Sequence, residues 1–178
     1  MRYGIVGTGY WGKNHVRVAS ELAADGTLDD VVVCDVDRER AAELADRFDL
    51  DYCTDYRDLD LDAASLATPS TTHEQIATDL LASGTDLLVE KPLALDADAA
   101  WNIVETAEEY DRTLGVGHIF RYHPALTELK QWIDSGKLGE IKYLHTTRFA
   151  FVIPRETTGG LYSLAVHDVD MHNSLLER

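Results

Sequence analysis

Short apolar runs alternate with amphipathic stretches over the first two thirds of the chain. The pattern predicts strands at 2–7, 30–35, 51–53, 62–68, 86–90 and 113–118, and helices at 10–24, 37–48, 71–83 and 97–110. We place the N-cap of the last of these helices at Asp96 and a helix-terminating glycine at Gly84. Strands that alternate with helices indicate βαβ units, so we predict an α/β fold with a doubly wound parallel sheet of six strands.

The pattern changes after residue 120. A helix is predicted at 122–135, a long alternating strand at 140–152 and a final helix at 162–177. A single long strand would leave both its edges unpaired. We therefore predict a first domain at 1–120 and, at 121–178, the beginning of a second, incomplete α+β domain.

Charge is the unusual feature of the composition. Sixteen basic residues face 32 acidic residues, which gives a net charge of −16. Such a surface repels polyanions, so neither nucleic acid nor an anionic membrane is an expected partner. The first strand begins at Arg2, which leaves no room for a signal peptide, and we expect a cytoplasmic protein. High salt screens repulsion between surface charges, so the composition also indicates a halophilic source.

A glycine motif opens the first predicted helix. GTGYWG at residues 7–12 matches GxGxxG directly after a strand, which is the arrangement of the Rossmann dinucleotide site. In that site Gly7 permits a tight turn, Gly9 lets the backbone approach a pyrophosphate, and Gly12 allows close packing of the helix. The predicted cofactor site includes the whole loop: Gly7, Thr8, Gly9, Tyr10, Trp11 and Gly12.

An acidic residue ends the second predicted strand. Asp35 lies 23 residues beyond Gly12, where a carboxylate accepts hydrogen bonds from the adenosine ribose and repels a 2′-phosphate. This favours NAD over NADP as the cofactor. Arg38 and Arg40 follow closely, and their positive charges oppose that preference, so NADP stays the second choice. A solvated carboxylate at a strand end is the simpler alternative for Asp35.

Further motifs follow the glycine loop: ATPSTTH at 67–73, EKP at 90–92, GHIFRYHPA at 117–125 and GGLYSLAVHDVD at 159–170. Together with GTGYWG they resemble the motifs of the glucose–fructose oxidoreductase/inositol dehydrogenase (Gfo/Idh/MocA) family. GYWGKNH at 9–15 and LAVHDVDM at 164–171 are especially similar to the branch that acts on UDP-N-acetylglucosamine and related nucleotide sugars. The order and spacing of these motifs cover essentially the whole chain.

The resemblance implies a two-domain oxidoreductase in which a Rossmann domain is followed by a substrate domain that often mediates assembly into a homo-oligomer. It implies that cofactor contacts on the nicotinamide side come from Thr68, Pro69, His73, Glu90 and Lys91. It also implies a cis peptide bond at Pro92. The substrate residues that it implies are Arg121, Ser163 and Asp170.

The chemistry of alcohol oxidation supports two catalytic residues. Removal of hydride from a carbinol carbon requires a base for the hydroxyl proton, and His167 is suited to that role near neutral pH. Lys91 could stabilise the developing alkoxide or relay the proton. In the alternative interpretation, Lys91 is an exposed lysine and His167 a helix-capping or core histidine. His15 is expected to be structural or superficial rather than catalytic.

Two features separate the chain from the family pattern. Many relatives carry aspartate four residues before the catalytic histidine, where this chain has Ser163, so His167 would act with Lys91 alone or the enzyme would be impaired. The chain also ends shortly after that histidine. The main hypothesis is therefore an NAD-dependent dehydrogenase acting on a secondary hydroxyl of a sugar or nucleotide sugar. The alternative is a truncated, non-catalytic NAD(H)-binding fragment.

Metal binding is not expected. His167, Asp168, Asp170 and His172 lie close together in sequence, but on a helix Asp168 and His172 share a face while His167 points elsewhere. The two cysteines, Cys34 and Cys53, have no zinc-site spacing.

The charge balance generates a prediction about salt. Thermal unfolding should occur at a lower temperature in dilute buffer than in molar KCl, because salt at about 1 M shortens the Debye length to about 3 Å and screens the repulsion between carboxylates. Circular dichroism during heating measures the midpoint, and an equal ionic strength of NaCl serves as the control. A midpoint that is equal or higher in dilute buffer would contradict the halophilic interpretation.

Overall fold

A computed structural model describes residues 1–148 and 159–176 of the chain. The chain folds into two compact units, Met1–Gly117 and His118–Arg178. The boundary predicted from sequence, after residue 120, falls within the 3-10 helix Ile119–Tyr122 that opens the second unit.

The first unit contains a parallel sheet of six strands. The strands are β1 (Arg2–Val6), β2 (Asp30–Cys34), β3 (Asp51–Cys53), β4 (Ala63–Leu66), β5 (Asp86–Val89) and β6 (Leu114–Val116). Their order is β3-β2-β1-β4-β5-β6, and every neighbouring pair is parallel. This is the strand order of the doubly wound dinucleotide-binding fold, so the predicted fold class is confirmed.

Four helices connect these strands: α1 (Gly12–Ala24), α2 (Arg38–Phe48), α3 (His73–Ala82) and α4 (Ala97–Glu109). Local sequence explains where they begin and end. The Asp96 side chain accepts a hydrogen bond from the Ala99 N–H at 2.8 Å, which confirms the predicted N-cap of α4. After α3, Gly84 adopts a φ of +97° that other residues rarely tolerate.

The hydrophobic core lies on both faces of the sheet. Because side chains alternate along a strand, Ile5 of β1 packs on the face covered by α1 and α2, and Val6 packs on the face covered by α3 and α4. Both residues are almost completely buried. With its sheet covered on both sides, this unit presents the loops at the carboxyl ends of its strands as the place for a ligand.

The second unit contains α5 (Pro124–Asp134) and α6 (Val166–Leu176), with a π-helical segment, Leu161–Ala165, leading into α6. These helices confirm the two predicted for this part of the sequence. The predicted strand at 140–152 is wrong in its described part, because residues 140–148 form no strand. Alternation alone does not make a strand when no partner strand is present among the described residues to satisfy its backbone groups. Residues 149–152 of that prediction lie outside the described residues.

Within the two described stretches of chain, no helix is both long and apolar enough to cross a membrane.

The packing of the glycine loop generates a prediction about stability. A Cβ added to Gly12 would overlap the carbonyl oxygen of Gly7, whereas a Cβ on Gly9 would meet no atom within 4 Å. Gly12→Ala should therefore lower the free energy of unfolding by about 1–3 kcal/mol or more. Gly9→Ala is the matched control and should change it by less than about 1 kcal/mol. Urea denaturation measures both values, and equal effects of the two substitutions would contradict the packing described here.

Candidate functional site

The glycine loop joins the carboxyl end of β1 to the beginning of α1. Gly7 has a φ of +94°, and a Cβ there would lie 2.7 Å from the Thr68 backbone nitrogen, at the carboxyl end of β4. Gly12 packs directly against the Gly7 carbonyl group. Both positions require glycine, as the motif predicts, because no side chain fits between these backbone segments.

The middle glycine faces open space. The position of a Cβ on Gly9 has no neighbour within 4 Å, so an anionic group can approach the loop backbone closely. The N-terminus of α1 begins three residues later, where free N–H groups and the helix dipole favour negative charge. The loop therefore fits the pyrophosphate of a dinucleotide.

The Asp35 carboxylate is tied to the glycine loop. The backbone N–H and the side-chain hydroxyl of Thr8 both donate to Asp35 Oδ2 at 2.7 Å, and the Asp37 N–H donates to Oδ1 at 2.9 Å. Asp35 is only 7% exposed. Thr8 is thus a bridge between the loop and the acidic residue, a connection that the sequence motif did not reveal.

Hydrogen bonds keep Asp35 in its charged form. Burial by itself would raise the pKa of this carboxyl, but the bonds from Asp37 and Thr8 and the positive charge of Arg40 outweigh burial, so its pKa lies below the usual range. Asp35 is therefore an anion at neutral pH, ready to accept hydrogen bonds from ribose hydroxyls and to repel a phosphate.

Arg40, rather than Arg38, approaches this carboxylate. The Arg40 guanidinium is 3.5 Å from Asp35 Oδ2 and 2.9 Å from Asp37 Oδ2, which places a positive charge next to the acidic pair. Arg38 is exposed at the first position of α2. Since Arg40 is itself paired with two carboxylates, its capacity to attract a 2′-phosphate is reduced.

Tyr10 and Trp11 extend from the glycine loop into solvent. Their ring centroids are 6.4 Å apart with planes inclined by 24°, and Lys13 Nζ lies 5.2 Å from the Tyr10 ring centroid. Tyr10 is 76% exposed and Trp11 is also exposed. These two aromatic residues therefore form an outer surface of the loop rather than part of the core.

His73 packs beneath the loop that follows β4. His73 is 1% exposed, and the atoms of the described residues within hydrogen-bonding distance of its ring are backbone carbonyl oxygens: Nδ1 is 3.0 Å from the Pro92 oxygen and Nε2 is 3.0 Å from the Thr68 oxygen. His73 thus connects the Thr68–Pro69 loop to the segment after β5. Within that loop, the Thr72 hydroxyl donates to the Thr68 hydroxyl at 2.9 Å.

Glu90, Lys91 and Pro92 follow β5. The Lys91–Pro92 peptide bond is cis, as the family resemblance implies. Glu90 is 8% exposed, and its Oε1 lies 3.0 Å from Nε2 of His15 on α1. Sequence alone indicates no partner for His15, although its place three residues after the buried Gly12 and four before the buried Ala19 puts it on the inward face of α1.

The second unit surrounds His167 with aromatic and charged groups. His167 is buried near the beginning of α6, and its ring meets the Phe120 ring edge-on at a centroid distance of 4.9 Å. The Arg121 Nε donates to Asp170 Oδ1 at 2.8 Å, and His118 Nδ1 lies 3.8 Å from Asp170 Oδ2. The structure therefore brings the predicted residues Arg121 and Asp170 into direct contact.

Asp168 and Ser163 also have partners within this unit. Arg148 donates two hydrogen bonds to Asp168 Oδ1, from Nε at 3.1 Å and Nη2 at 2.8 Å, and the Ser163 hydroxyl donates to the Gly159 carbonyl at 2.8 Å. Arginines thus hold both carboxylates that neighbour His167 in sequence.

The structure therefore collects most of the predicted residues into two groups. The carboxyl edge of the first unit carries the glycine loop, Asp35, the Thr68–Pro69 loop and the segment 90–92. The second unit carries His167, Arg121, Asp170 and Ser163. In the described part of the chain, no cluster of three or more histidine, cysteine or acidic side chains is arranged to hold a metal ion.

Comparison with known proteins identifies a family of oxidoreductases. Residues 1–118 match the profile of an oxidoreductase family with an NAD-binding Rossmann fold. UDP-N-acetylglucosamine 3-dehydrogenase of Acidithiobacillus ferrooxidans is 34% identical over 177 residues, which are 96% of this chain and 53% of the relative. Inositol 2-dehydrogenase 2 of Saccharopolyspora erythraea is 32% identical and is matched over 99% of this chain and 54% of its own length.

Solved structures agree with the sequence comparisons. A structure of the Acidithiobacillus ferrooxidans UDP-N-acetylglucosamine 3-dehydrogenase superimposes with a TM-score of 0.81 and 32% identity, covering 98% of this chain and 56% of that one. GenD2 from gentamicin A biosynthesis, solved in complex with NAD, has a TM-score of 0.83 and 27% identity, covering 99% and 54%. The chain thus spans about half the length of these relatives.

The match over residues 1–118 covers more than half of the chain, and this range contains the glycine loop, Asp35, the Thr68–Pro69 loop and the EKP segment. The chain therefore belongs to the Gfo/Idh/MocA oxidoreductase family and carries its NAD-binding Rossmann fold.

Proposed function

We propose that this chain catalyses NAD-dependent oxidation of a secondary hydroxyl of a sugar, with a nucleotide sugar of the UDP-N-acetylglucosamine type as the preferred substrate class. The observation that carries the proposal is the Asp35 carboxylate, charged and bonded to Thr8 of the glycine loop, since this pairing suits the ribose and pyrophosphate of NAD. The choice of nucleotide sugar rests on the 34% identity to UDP-N-acetylglucosamine 3-dehydrogenase.

The proposed cofactor site follows the carboxyl edge of the sheet. Strand order reverses between β1 and β4, and in doubly wound sheets a dinucleotide crosses at that point. Asp35, on the β2 side, takes the adenosine ribose. The nicotinamide half then faces two loops: Thr68 and Pro69 after β4, and Glu90 and Lys91 after β5. His73 contacts both of these loops from beneath.

The proposed chemistry needs one hydride acceptor and one base. NAD, when bound, accepts the hydride from the carbinol carbon. An imidazole nitrogen of His167 takes the proton from the hydroxyl, and the ammonium group of Lys91 stabilises the charge that develops on the oxygen. Arg121 and Asp170, which are paired at 2.8 Å, orient the substrate or the groups around His167. The Ser163 hydroxyl offers the substrate a hydrogen-bond partner.

The absence of an aspartate at position 163 does not remove the base from this scheme. His167 retains the edge-on contact with Phe120 that orients its ring. Asp168 and Asp170 are held by Arg148 and Arg121, which occupy oxygens that a proton acceptor would need. We therefore propose that His167 works with Lys91 and without a carboxylate partner at position 163.

A second candidate function is NAD(H) binding without turnover. The observation that favours it is the length of chain matched, about half of each curated relative. The matched half contains the proposed cofactor site, and NAD(H) binding needs that site alone, whereas oxidation of a sugar also needs substrate contacts. Turnover and cofactor binding must therefore be measured separately.

Cofactor choice is tested at Asp35. Asp35→Ala removes the acceptor for the ribose hydroxyls and the charge that repels a 2′-phosphate, so NADH affinity should fall by about tenfold to a hundredfold while the preference for NADH over NADPH shrinks. Isothermal titration calorimetry with both nucleotides in molar KCl measures each Kd.

Asp30→Ala is the matched control for that experiment, because Asp30 begins the same strand at the opposite edge of the sheet, in an ion pair with Arg2. It should leave both affinities unchanged. Wild-type protein that binds neither nucleotide, or an Asp35→Ala variant with unchanged NADH affinity, would refute the proposed cofactor site.

The catalytic roles are tested by turnover with UDP-N-acetylglucosamine and with myo-inositol, followed through the absorbance of NADH. His167→Asn should lower kcat by about 100-fold to 10,000-fold, the contribution of a general base, and NADH affinity should be preserved. Lys91→Met should also lower kcat.

His172→Asn is the matched control on the same helix, since His172 contacts Thr146 instead of the residues assigned to catalysis. Full turnover by His167→Asn would exclude that residue as the base. Cofactor binding by the wild-type chain without turnover of either substrate would support the second candidate function.

A further inference from the structure

A network of side-chain hydrogen bonds in the first unit connects Tyr3 to Glu90. The Tyr3 hydroxyl is 2.6 Å from the Ser65 hydroxyl, Ser65 Oγ is 3.0 Å from His15 Nδ1, and His15 Nε2 is 3.0 Å from Glu90 Oε1. These residues come from β1, β4, α1 and the end of β5. The function proposed above gives no role to Tyr3, Ser65 or His15.

The Glu90 carboxylate, at the end of this hydrogen-bond network, has little conformational freedom. Its Oε2 accepts a hydrogen bond from the Lys91 backbone N–H at 3.3 Å, and its side chain is about 10% exposed. On the other side lies Gly117, where a Cβ would come within 3.3–3.4 Å of the three carboxyl atoms. Space for the carboxylate therefore depends on Gly117, and its direction depends on His15 and on the Lys91 peptide.

We propose that His15 is a positioning residue that fixes the Glu90 carboxylate and, through it, the Lys91 peptide on the nicotinamide side of the cofactor site. The inference rests on the proposed function, because the value of a fixed Lys91 depends on its role there. His15 itself touches Glu90 and Ser65 and is not assigned any contact with cofactor or substrate.

The acceptors in this hydrogen-bond network determine which nitrogen of His15 carries the hydrogen. An ionised carboxylate only accepts, so Nε2 donates to Glu90. In a neutral imidazole Nδ1 then accepts from the Ser65 hydroxyl, and Ser65 Oγ accepts from Tyr3. Burial raises the pKa of Tyr3, which keeps its hydroxyl a donor at neutral pH. Glu90 thus selects the tautomer, and Ser65 completes the arrangement by donating to Nδ1.

Loss of His15 should disturb one half of the site. A buried carboxylate that loses its partner is costly and moves toward water, and here the movement would release the Lys91 peptide. Asp35, with its own bonds to Thr8 and Asp37, lies on the opposite side of the point where strand order reverses. A purely structural role for His15 would instead weaken both halves together.

Two nucleotides separate these possibilities. ADP-ribose contains the adenosine, pyrophosphate and second ribose of NADH but lacks the nicotinamide. His15→Asn, which keeps an amide near Nδ1 but none near Nε2, should raise the Kd for NADH by about tenfold or more and leave the Kd for ADP-ribose within about twofold. His15→Gln places an amide donor near the position of Nε2 and should restore most of the NADH affinity.

His123→Asn is the matched control, because His123 caps α5 in the second unit through a bond from the Ala125 N–H, a role that asparagine also fills. It should change neither Kd. Equal losses of NADH and ADP-ribose affinity in His15→Asn would overturn the positioning role. Wild-type protein that binds neither nucleotide would instead overturn the proposed function.

The tautomer is tested without any cofactor. In the nitrogen-15 NMR spectrum of the labelled chain, the His15 ring signals are identified by their absence from His15→Gln, and we expect the pattern of a ring that carries hydrogen on Nε2. In Glu90→Gln, whose amide can donate to Nε2 as well as accept from it, the form with hydrogen on Nδ1 should become populated. A wild-type ring with hydrogen on Nδ1 alone would overturn the proposal, whatever the nucleotide affinities.

Discussion

Close contact between backbone segments at the glycine loop is the constraint on which the rest of this fold depends. α1 begins against the Gly7 carbonyl, and Gly7 itself lies against the backbone at Ala67 and Thr68. β1, α1 and the end of β4 can meet only because neither glycine has a side chain. This contact brings the N-terminus of α1 to the point where strand order reverses. The anion-binding end of the helix and the carboxyl edge of the sheet thus become one surface.

The polar groups around that surface are fixed by neighbours in the protein rather than by solvent. Thr8 binds Asp35, and His15 binds Glu90, so both buried carboxylates of the edge have a partner from the glycine loop or the helix that follows it. Burial of both carboxylates would be costly without these donors. The first turn of α1 and the loop before it therefore organise both ends of the site.

The first unit was largely predictable from the sequence because its elements depend on local patterns. β3 has the predicted bounds of 51–53, and the other strands lie within the predicted ranges, because apolar runs and glycine or aspartate boundaries are local signals. The prediction at 140–152 was wrong over 140–148 because a strand also needs a partner, which no local pattern supplies. Likewise the motif indicated Asp35, but the Thr8 bridge and the His15–Glu90 pair depend on contacts between residues far apart in sequence.

The ring of His73 has a consequence for water. Three carbonyl groups, those of Thr68, Pro92 and Leu93, lie within 3.0–3.2 Å of its nitrogens at a place with almost no solvent access. Without the imidazole, these oxygens would need ordered water molecules beneath the loops. Because a side chain occupies that space, no water is needed to fill it, and we expect hydration changes on ligand binding mainly at the open face above the sheet edge.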